Sequence, residues 1–360
     1  MSSIIGNKIK ISVFGESHGP VIGVVIDGLP SGITINFQRI QEELERRAPG
    51  RDEISTSRRE EDVPKILSGV FEGKTTGAPL TAVFENNNVR SKDYSELKIK
   101  PRPSHADYPA FVKYKGFNDY RGGGHFSGRL TIALVFAGAI CKSILEDRNI
   151  YIGSHIKSIG KVKDDYLDKI NIDKELLLSL KSMELPTLNK AKGVEMKNEI
   201  LRAKEANDSV GGIIEGAVLN LPAGLGNPMF DSVESSLAHM LFSVPAVKGV
   251  EFGEGFALSC LRGSEAKDEY YYENGRVKAY SNSNGGVLGG ISTGMPIVFS
   301  VVIKPTASIG QWQRTINLAT SMNDMLKIEG RHDPCIVKRV VPVIEGATAI
   351  TILDILLQEE

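Results

Sequence analysis

Histidine and arginine residues recur together in glycine- and proline-rich segments of this 360-residue chain. PRPSHAD contains Arg102 and His105, DYRGGGHFSGR contains His125 and Arg129, and GRHDPC contains Arg331. Guanidinium groups bind carboxylates and phosphates in bidentate geometry, and a histidine can give or take a proton near neutral pH. The pattern therefore predicts a small polyanionic substrate and a reaction that transfers protons.

Three further features support a binding site for anions. RRAPGR and SRRE (46–51 and 57–60) and KPTASI (304–309) are also basic, and Ser127, Gly128 and Arg129 precede an apolar helix. The backbone N–H groups at such a helix start attract anions. Solvated surface charge explains any one of these clusters more simply, but five clusters together favour convergence on one ligand.

Several other kinds of site are excluded or weakly supported. GKT (73–75) lacks the first glycine of a P-loop, since Ser68 occupies that position, and GGVLGG (285–290) is a weak dinucleotide fingerprint. The chain has no HExxH, CxxC or GxSxG motif, so neither a metal site nor a serine hydrolase is expected. A net charge of −1, from 43 basic and 44 acidic residues, argues against a general nucleic-acid binder.

The elements that must position these residues follow from hydrophobic periodicity and turn signals. GESHG (15–19) is predicted to connect two strands, and Asn36 to cap a helix that runs through Arg47. Further predictions are strands at 66–71 and 79–85, a long loop at 90–107, a buried helix at 130–145, a helical insertion at 161–198 and a helix at 336–357.

Two blocks of sequence occur twice. Residues 16–32 align without gaps with 208–224, and 73–80 resemble 290–297. His18 in the first copy corresponds to Val210 in the second, so the turn itself does not require histidine and a functional role for His18 is favoured. The repeat predicts two related halves, at about 8–150 and 205–358, within one domain.

The expected compartment is reducing and cytoplasmic. Cys141, Cys260 and Cys335 are too few and too scattered for a disulfide framework, and the first residues do not resemble a signal peptide. The longest apolar stretch, around Leu130 to Cys141, is expected to be too short to span a membrane.

Ten motifs in order along the whole chain resemble the chorismate synthase family: GESHG, DGLPSG, RRAPG, RREEDVPKILSGVFEGKTTGAP, NNNVRSKDY, RPSHADY, DYRGGG, GGISTG, KPTASI and GRHDPC. The resemblance implies a lyase of the shikimate pathway that converts 5-enolpyruvylshikimate 3-phosphate (EPSP) to chorismate by 1,4-anti elimination of phosphate. It also implies reduced FMN as cofactor, a homotetramer, and no nucleic-acid or membrane partner. The implied fold is α+β, a β-α-β sandwich with helices between two antiparallel four-stranded sheets and a pseudo-twofold repeat.

The resemblance also implies roles for individual residues. His18 would protonate the departing phosphate, His105 would protonate the reduced flavin, and Asp333 with Ser17 and Ser127 would help the flavin to accept the ring proton. EPSP would be held by Arg47, Arg58, Arg102, Arg129 and Arg331. FMN would be held by His125, Phe126, Ser127, Ala246, Gly289, Lys304, Pro305, Thr306, Ala307, Ser308 and Arg331.

Arg47 also matches a position linked to NADPH in the family. The chain shows no separate flavin reductase domain, so NADPH is expected only as an indirect reductant through an external flavin reductase. One segment departs from the common family pattern, because RGGGRSSAR is replaced by RGGGHFSGR, which introduces His125, Phe126 and Gly128.

Two alternatives from other classes remain open at this stage. A phosphosugar transferase or phosphatase could use the same arginine pocket without flavin. An RNA-binding module could use RRAPGR and its neighbours, and its affinity would fall steeply with salt.

Overall fold

The computed structural model describes residues 3–50, 53–55, 62–86, 96–328 and 332–360. Within these ranges the chain forms two antiparallel five-stranded sheets and seven α-helices. The helices are α1 (Phe37–Arg47), α2 (Asp107–Lys113), α3 (Thr131–Asp147), α4 (Lys174–Leu180), α5 (Lys190–Glu205), α6 (Val233–Ser243) and α7 (Val337–Gln358). The predicted helices at 36–47, 130–145 and 336–357 are therefore confirmed.

Sheet one belongs to the N-terminal part of the chain. Its strand order is β1 (Ile4–Ile5), β2 (Lys10–Gly15), β3 (Val21–Asp27), β7 (Leu80–Glu85) and β4 (Lys65–Ser68). Strands β2 and β3 flank GESHG and pair from Lys10 with Asp27 to Gly15 with Ile22, as the sequence predicts. The predicted strand at 66–71 is split, because Ser68 ends β4 and Val70–Phe71 (β5) turns away to pair with Lys74–Thr75 (β6).

Sheet two belongs to the C-terminal part. Its order is β11 (Val247–Phe252), β16 (Ile297–Ile303), β10 (Gly212–Leu219), β8 (Tyr151–Ile159) and β9 (Val162–Lys163). Four strands per sheet were expected, and the described residues form five, because two-residue strands, β1 and β9, extend one edge of each sheet. Three hairpins complete the strands: β12 (Tyr270–Glu273) with β13 (Arg276–Ala279), β14 (Val287–Leu288) with β15 (Ile291–Ser292), and β17 (Trp312–Asn317) with β18 (Met322–Lys327).

The two repeated blocks lie at corresponding places in the two sheets. Strand β3 is the middle strand of sheet one and β10 is the middle strand of sheet two. The second pair of blocks leads into β7 and β16, which neighbour these middle strands. The turns after the middle strands also agree, since Gly28 and Asn220 both have positive φ, and so do Gly32 and Gly224.

Helices α3 and α7 pack against each other in the main core, and α3 contacts strands of both sheets. By length and composition alone, Gly128–Asp147 and Val337–Gln358 could each cross a membrane. The prediction that the apolar stretch around 130–141 is too short to span a membrane is therefore wrong, because the helix that contains it is 20 residues long. However, 89% and 94% of their apolar windows are buried inside the protein, which makes both of them core helices.

Residues 164–189 cover the face of sheet two that is turned away from α7. A small apolar cluster, including Leu177 and Leu219, packs there beside a buried charged cluster. His155 lies 3.1 Å from Asp164 and 3.0 Å from Glu215, and these two carboxylates accept backbone hydrogen bonds from Leu188 and Leu167 of the same segment. Burial opposes protonation of His155, but hydrogen bonds to both carboxylates outweigh it and raise the pKa.

The close approach of α3 and α7 depends on two glycines. A Cβ placed on Gly138 would lie 2.2 Å from the Cα of Gly346, and one on Gly346 would lie 2.9 Å from the carbonyl oxygen of Leu134. These distances are shorter than real Cβ contacts, so the helices would have to move apart to admit even a methyl group.

We predict that Gly138→Ala lowers the free energy of unfolding by about 1–3 kcal/mol through overpacking. Alanine has a higher helix propensity than glycine, so propensity alone would raise the free energy of unfolding by about 1 kcal/mol. The sign of the measured change therefore distinguishes overpacking from propensity. Urea unfolding measures the effect, and Gly263→Ala is the control because a Cβ there meets nothing within 4 Å. Equal or greater stability of Gly138→Ala would contradict the packing argument.

Candidate active site

A glycine-rich loop separates two of the predicted catalytic histidines. Gly122, Gly123 and Gly124 all have positive φ (59°, 84° and 54°), which residues with a side chain rarely adopt. A Cβ on Gly122 would lie 2.5 Å from the His18 ring, and one on Gly123 would lie 3.3 Å from the His105 ring. The absence of a side chain therefore lets the His18 ring approach the backbone at Gly122 and the His105 ring approach it at Gly123.

A cavity of about 760 Å³ opens beside this loop. Its lining comes from the end of α1, residues 102–106, the glycine loop, the segments before α3 and α7, the first turns of both helices, the chain between α6 and β11, and KPTAS after β16. Six cationic side chains of the described part of the chain line it, against the single carboxylate of Asp333: Arg47, Arg102, Arg129, Lys248, Lys304 and Arg339. This excess of positive charge suits a ligand with several anionic groups.

Arg47 and Arg129 share one carboxylate. Nη1 of Arg47 lies 2.7 Å from one oxygen of Asp62, and Nη1 of Arg129 lies 2.5 Å from the other. All three side chains are buried, and Nε of Arg47 donates to Thr131 at 3.3 Å. Among the described residues, these two guanidinium groups share the one carboxylate of Asp62 at this wall of the cavity.

Arg102 and His105 are held by Asp107. Nε and Nη2 of Arg102 bind the two oxygens of Asp107 at 2.7 and 2.9 Å, and Nη1 donates to Ser308. Nδ1 of His105 lies 2.7 Å from an oxygen of Asp107, to which it can donate a hydrogen bond, and 3.1 Å from Nη2 of Arg102, while Nε2 lies on the side of Gly123. Burial alone would raise the pKa of Asp107, but Arg102 and His105 hold it well below its usual range.

Asp333 lies at the start of α7 and forms an ion pair with Arg339, whose Nε also donates to the backbone carbonyl of Arg47. Arg339 thus connects the C-terminus of α1 to the loop before α7. Beside it, His332 donates to the carbonyl of Ile328 at 3.2 Å. Burial lowers the pKa of His332 despite this hydrogen bond, and the charge of Arg102 adds to the shift.

The segments expected to hold a flavin contribute both backbone and side-chain groups to the site. Ala246 has φ of 74°, and its carbonyl accepts from Lys304 N at 3.0 Å. The Lys304 ammonium donates to the carbonyl of Ser104, and burial together with Lys248 lowers its pKa. Oγ of Ser127 caps the helical turn Gly128–Leu130 by accepting from Arg129 N, and the Phe126 ring lies 6.2 Å from that of Tyr114.

The structure brings most of the predicted site residues to the cavity wall. These are Arg47, Arg102, His105, His125, Phe126, Ser127, Arg129, Ala246, Lys304, Pro305, Thr306, Ala307, Ser308 and Asp333. Ser17 and His18 are buried directly behind Gly122, whereas Gly289 lies in the β14–β15 turn and does not line the cavity. Arg58 and Arg331 lie outside the described residues.

Sequence reasoning missed three residues that shape the site. Asp62 lies within the RREEDVPK motif but was given no role, and Lys248 and Arg339 stand outside the motifs. One signal existed for Arg339, which lies six residues after Asp333 at the start of an apolar helix. Nothing local distinguishes Asp62, because its partners come from α1 and from the start of α3.

The model of the chorismate synthase family matches residues 9–357. The chain belongs to the chorismate synthase family. It is 47% identical to a chorismate synthase of Thermococcus kodakarensis over 98% of this chain and 97% of that protein. It is 46% identical to one from Methanocaldococcus jannaschii, over 98% and 96%.

A crystal structure of chorismate synthase has a similar fold, with a TM-score of 0.76 and 29% identity over 99% of this chain and 93% of that one. The chorismate synthase family is a family of carbon–oxygen lyases. This membership favours the lyase hypothesis over the transferase, phosphatase and RNA-binding alternatives.

We predict that Asp62→Asn destabilises the protein by about 3–5 kcal/mol, because two buried guanidinium groups lose their shared counter-charge. Denaturant unfolding measures the loss. Glu360→Gln, which removes an exposed partner of Arg148, is the control and is expected to cost less than about 1 kcal/mol. Similar losses for the two variants would show that Asp62 does not neutralise the two arginines.

Proposed function

We propose that this protein eliminates phosphate from EPSP to give chorismate. The observation that carries the proposal is that the rings of His18 and His105 lie against Gly122 and Gly123, beside a cavity whose wall is predominantly cationic. EPSP carries one phosphate and two carboxylates, so it matches this charge. Arg47, Arg102 and Arg129 are the proposed substrate ligands among the described residues, and Arg58 and Arg331 are proposed from the family motif alone.

Buried carboxylates behind the arginines preorganise them for binding. Asp62 and Asp107 fix the guanidinium planes before a ligand arrives, so that less side-chain entropy is lost on binding. Since Asp62 is one carboxylate shared by two guanidinium groups, Arg47 and Arg129 still attract a substrate phosphate or carboxylate.

The two histidines would divide the proton transfers. We assign to His18 the proton that the departing phosphate needs. His105 is assigned to the proton held near the flavin, and its Nε2 is presented by the hydrogen bond from Nδ1 to Asp107. Asp333, with Ser17 and Ser127, is assigned to the proton that leaves the substrate ring.

Reduced FMN fits the same cavity. The volume lies within the range of small-molecule and cofactor sites. The anionic phosphate of FMN would be attracted by Lys304 and Lys248, and residues 125–127, 246 and 304–308 line the part of the cavity proposed for the flavin. Bound reduced FMN would supply electron density as the carbon–oxygen bond breaks and recover it afterwards. Phe126 is proposed to pack against it.

The remaining proposals concern the setting of the activity. An external reductase would supply reduced FMN, with NADPH as the indirect reductant, and the enzyme would act in the cytoplasm as a homotetramer. We also propose one domain with a pseudo-twofold relation between residues 8–150 and 205–358 and with its helices layered between the sheets. The corresponding positions of β3 and β10 support this relation.

Anaerobic turnover tests the flavin requirement. EPSP is supplied with photoreduced FMN, with oxidised FMN, or with NADPH and oxidised FMN, and chorismate and phosphate are followed. We expect equal amounts of both products with photoreduced FMN and neither product in the other two samples. Product with NADPH would contradict the need for an external reductase, and phosphate without chorismate would favour the phosphatase hypothesis.

The role of His18 is tested by His18→Ala, with His239→Ala as the matched control because His239 is exposed and does not line the cavity. Loss of a general acid typically costs about 10²–10⁴-fold in rate. We expect kcat to fall by at least about 10²-fold in His18→Ala and to stay near wild type in His239→Ala, with both proteins folded by circular dichroism. Turnover close to wild type in His18→Ala would remove His18 from the mechanism.

A further inference from the structure

The turn that carries Ser17 and His18 depends on contacts from outside its own sequence. It begins at Gly15, whose φ is +94° and where a Cβ would lie 2.2 Å from the carbonyl oxygen of Val21. Glycine is thus required there, and glycine is the residue with the least conformational restriction of its own. Within the turn, Gly19 N donates to the carbonyl of Glu16 at 3.0 Å.

Two other segments hold this turn. The Asn86 side-chain amide donates to the carbonyls of Glu16 at 3.1 Å and Gly19 at 2.9 Å. From the glycine loop, the carbonyl of Gly124 accepts from Ser17 N at 3.1 Å. The next residue of that loop, His125, contacts the carbonyl of Gly15 through Nδ1 at 2.8 Å.

The hydrogen bonds of His125 define its tautomer. A carbonyl oxygen only accepts, so Nδ1 must carry a proton and donate it to Gly15. Nε2 lies 3.1 Å from the hydroxyl of Ser3, which can donate or accept. Both ring nitrogens are therefore engaged within the protein, although the side chain lines the cavity. A polar contact from this ring to a bound ligand would have to break one of these bonds.

We propose that His125 is a positioning residue for His18. Its donation to Gly15, together with the bond from Ser17 to Gly124, fastens the turn to the loop on which the His18 ring rests at Gly122. Ser3 orients the imidazole from the opposite side, so the N-terminal segment before β1 supports the site through His125. This inference rests on the proposed role of His18 and extends it to a residue that contributes no reacting atom.

Two amide variants distinguish the two hydrogen bonds of the His125 ring, to Gly15 and to Ser3. In His125→Asn the amide nitrogen can occupy the place of Nδ1 and donate to Gly15. In His125→Gln the amide extends to the position of Nε2, so it keeps the contact with Ser3 and loses the bond to Gly15. Ser3→Ala removes only the contact at Nε2, and Ser3 itself is not one of the residues that line the cavity.

Steady-state kinetics with photoreduced FMN provides the first readout. A displacement of about 1 Å in a catalytic group can cost about 10²-fold. We expect kcat to fall about 10- to 100-fold in His125→Gln, with KM for EPSP changed by less than about twofold. In His125→Asn kcat is expected to recover to within about threefold of wild type. A rise of KM at constant kcat in both variants would show that the ring binds a ligand instead, and equal kcat in all variants would overturn the proposal.

The second readout needs no turnover. The Cε1–H resonance of His18 is assigned in a ¹³C-correlated NMR spectrum by its loss in His18→Ala. We expect it to shift or broaden in His125→Gln and to keep its wild-type position in His125→Asn. An unmoved resonance in His125→Gln would refute positioning by His125. If wild-type protein does not turn over EPSP, the proposed function fails, while this spectrum still decides whether His125 fixes His18.

Discussion

The contact between α3 and α7 determines the position of the whole site. Gly138 and Gly346 leave no side chain between the two helices, so their separation and crossing are fixed by backbone contact. The loop with His125 and Ser127 leads directly into α3, and the loop with Asp333 leads directly into α7. Any change in the helix contact would move both loops relative to each other, and with them two parts of the cavity wall.

Among the described residues, every arginine that lines the cavity forms an ion pair with a carboxylate. Asp62 binds Arg47 and Arg129, Asp107 binds Arg102, and Asp333 binds Arg339. A second buried cluster, of Lys142 and Arg46 with Glu43 and Glu345, lies between α1, α3 and α7. Burial would raise the pKa of Glu43 and Glu345, but Lys142 and Arg46 lower it, to about 2 for Glu43, so both glutamates remain ionised at neutral pH. The site therefore rests on helices that are themselves held together by buried ion pairs.

Local sequence signals predicted the elements whose stability is local. Asn36 caps α1 by accepting from Arg39 N, and the predominantly apolar composition of 131–147 and 337–358 identifies the core helices. The motifs also led to most of the cavity residues. Contacts between distant segments were not predictable in this way: the carboxylate of Asp62, the amide of Asn86 and the ring of His125 acquire their partners only when the chain folds. His125 was expected to contact FMN because of its position in the motif, whereas its ring nitrogens are directed to Ser3 and Gly15.

The segment 164–189 is matched to its sheet by charge as well as by shape. Asp164 belongs to this segment, whereas its buried partner His155 and the second carboxylate, Glu215, belong to β8 and β10. Grafting the segment onto a related sheet with apolar residues at 155 and 215 would bury Asp164 without a counter-charge, at a cost of several kcal/mol. The segment therefore cannot be transferred to another protein by itself. It has to be transferred together with His155 and Glu215 of the underlying strands.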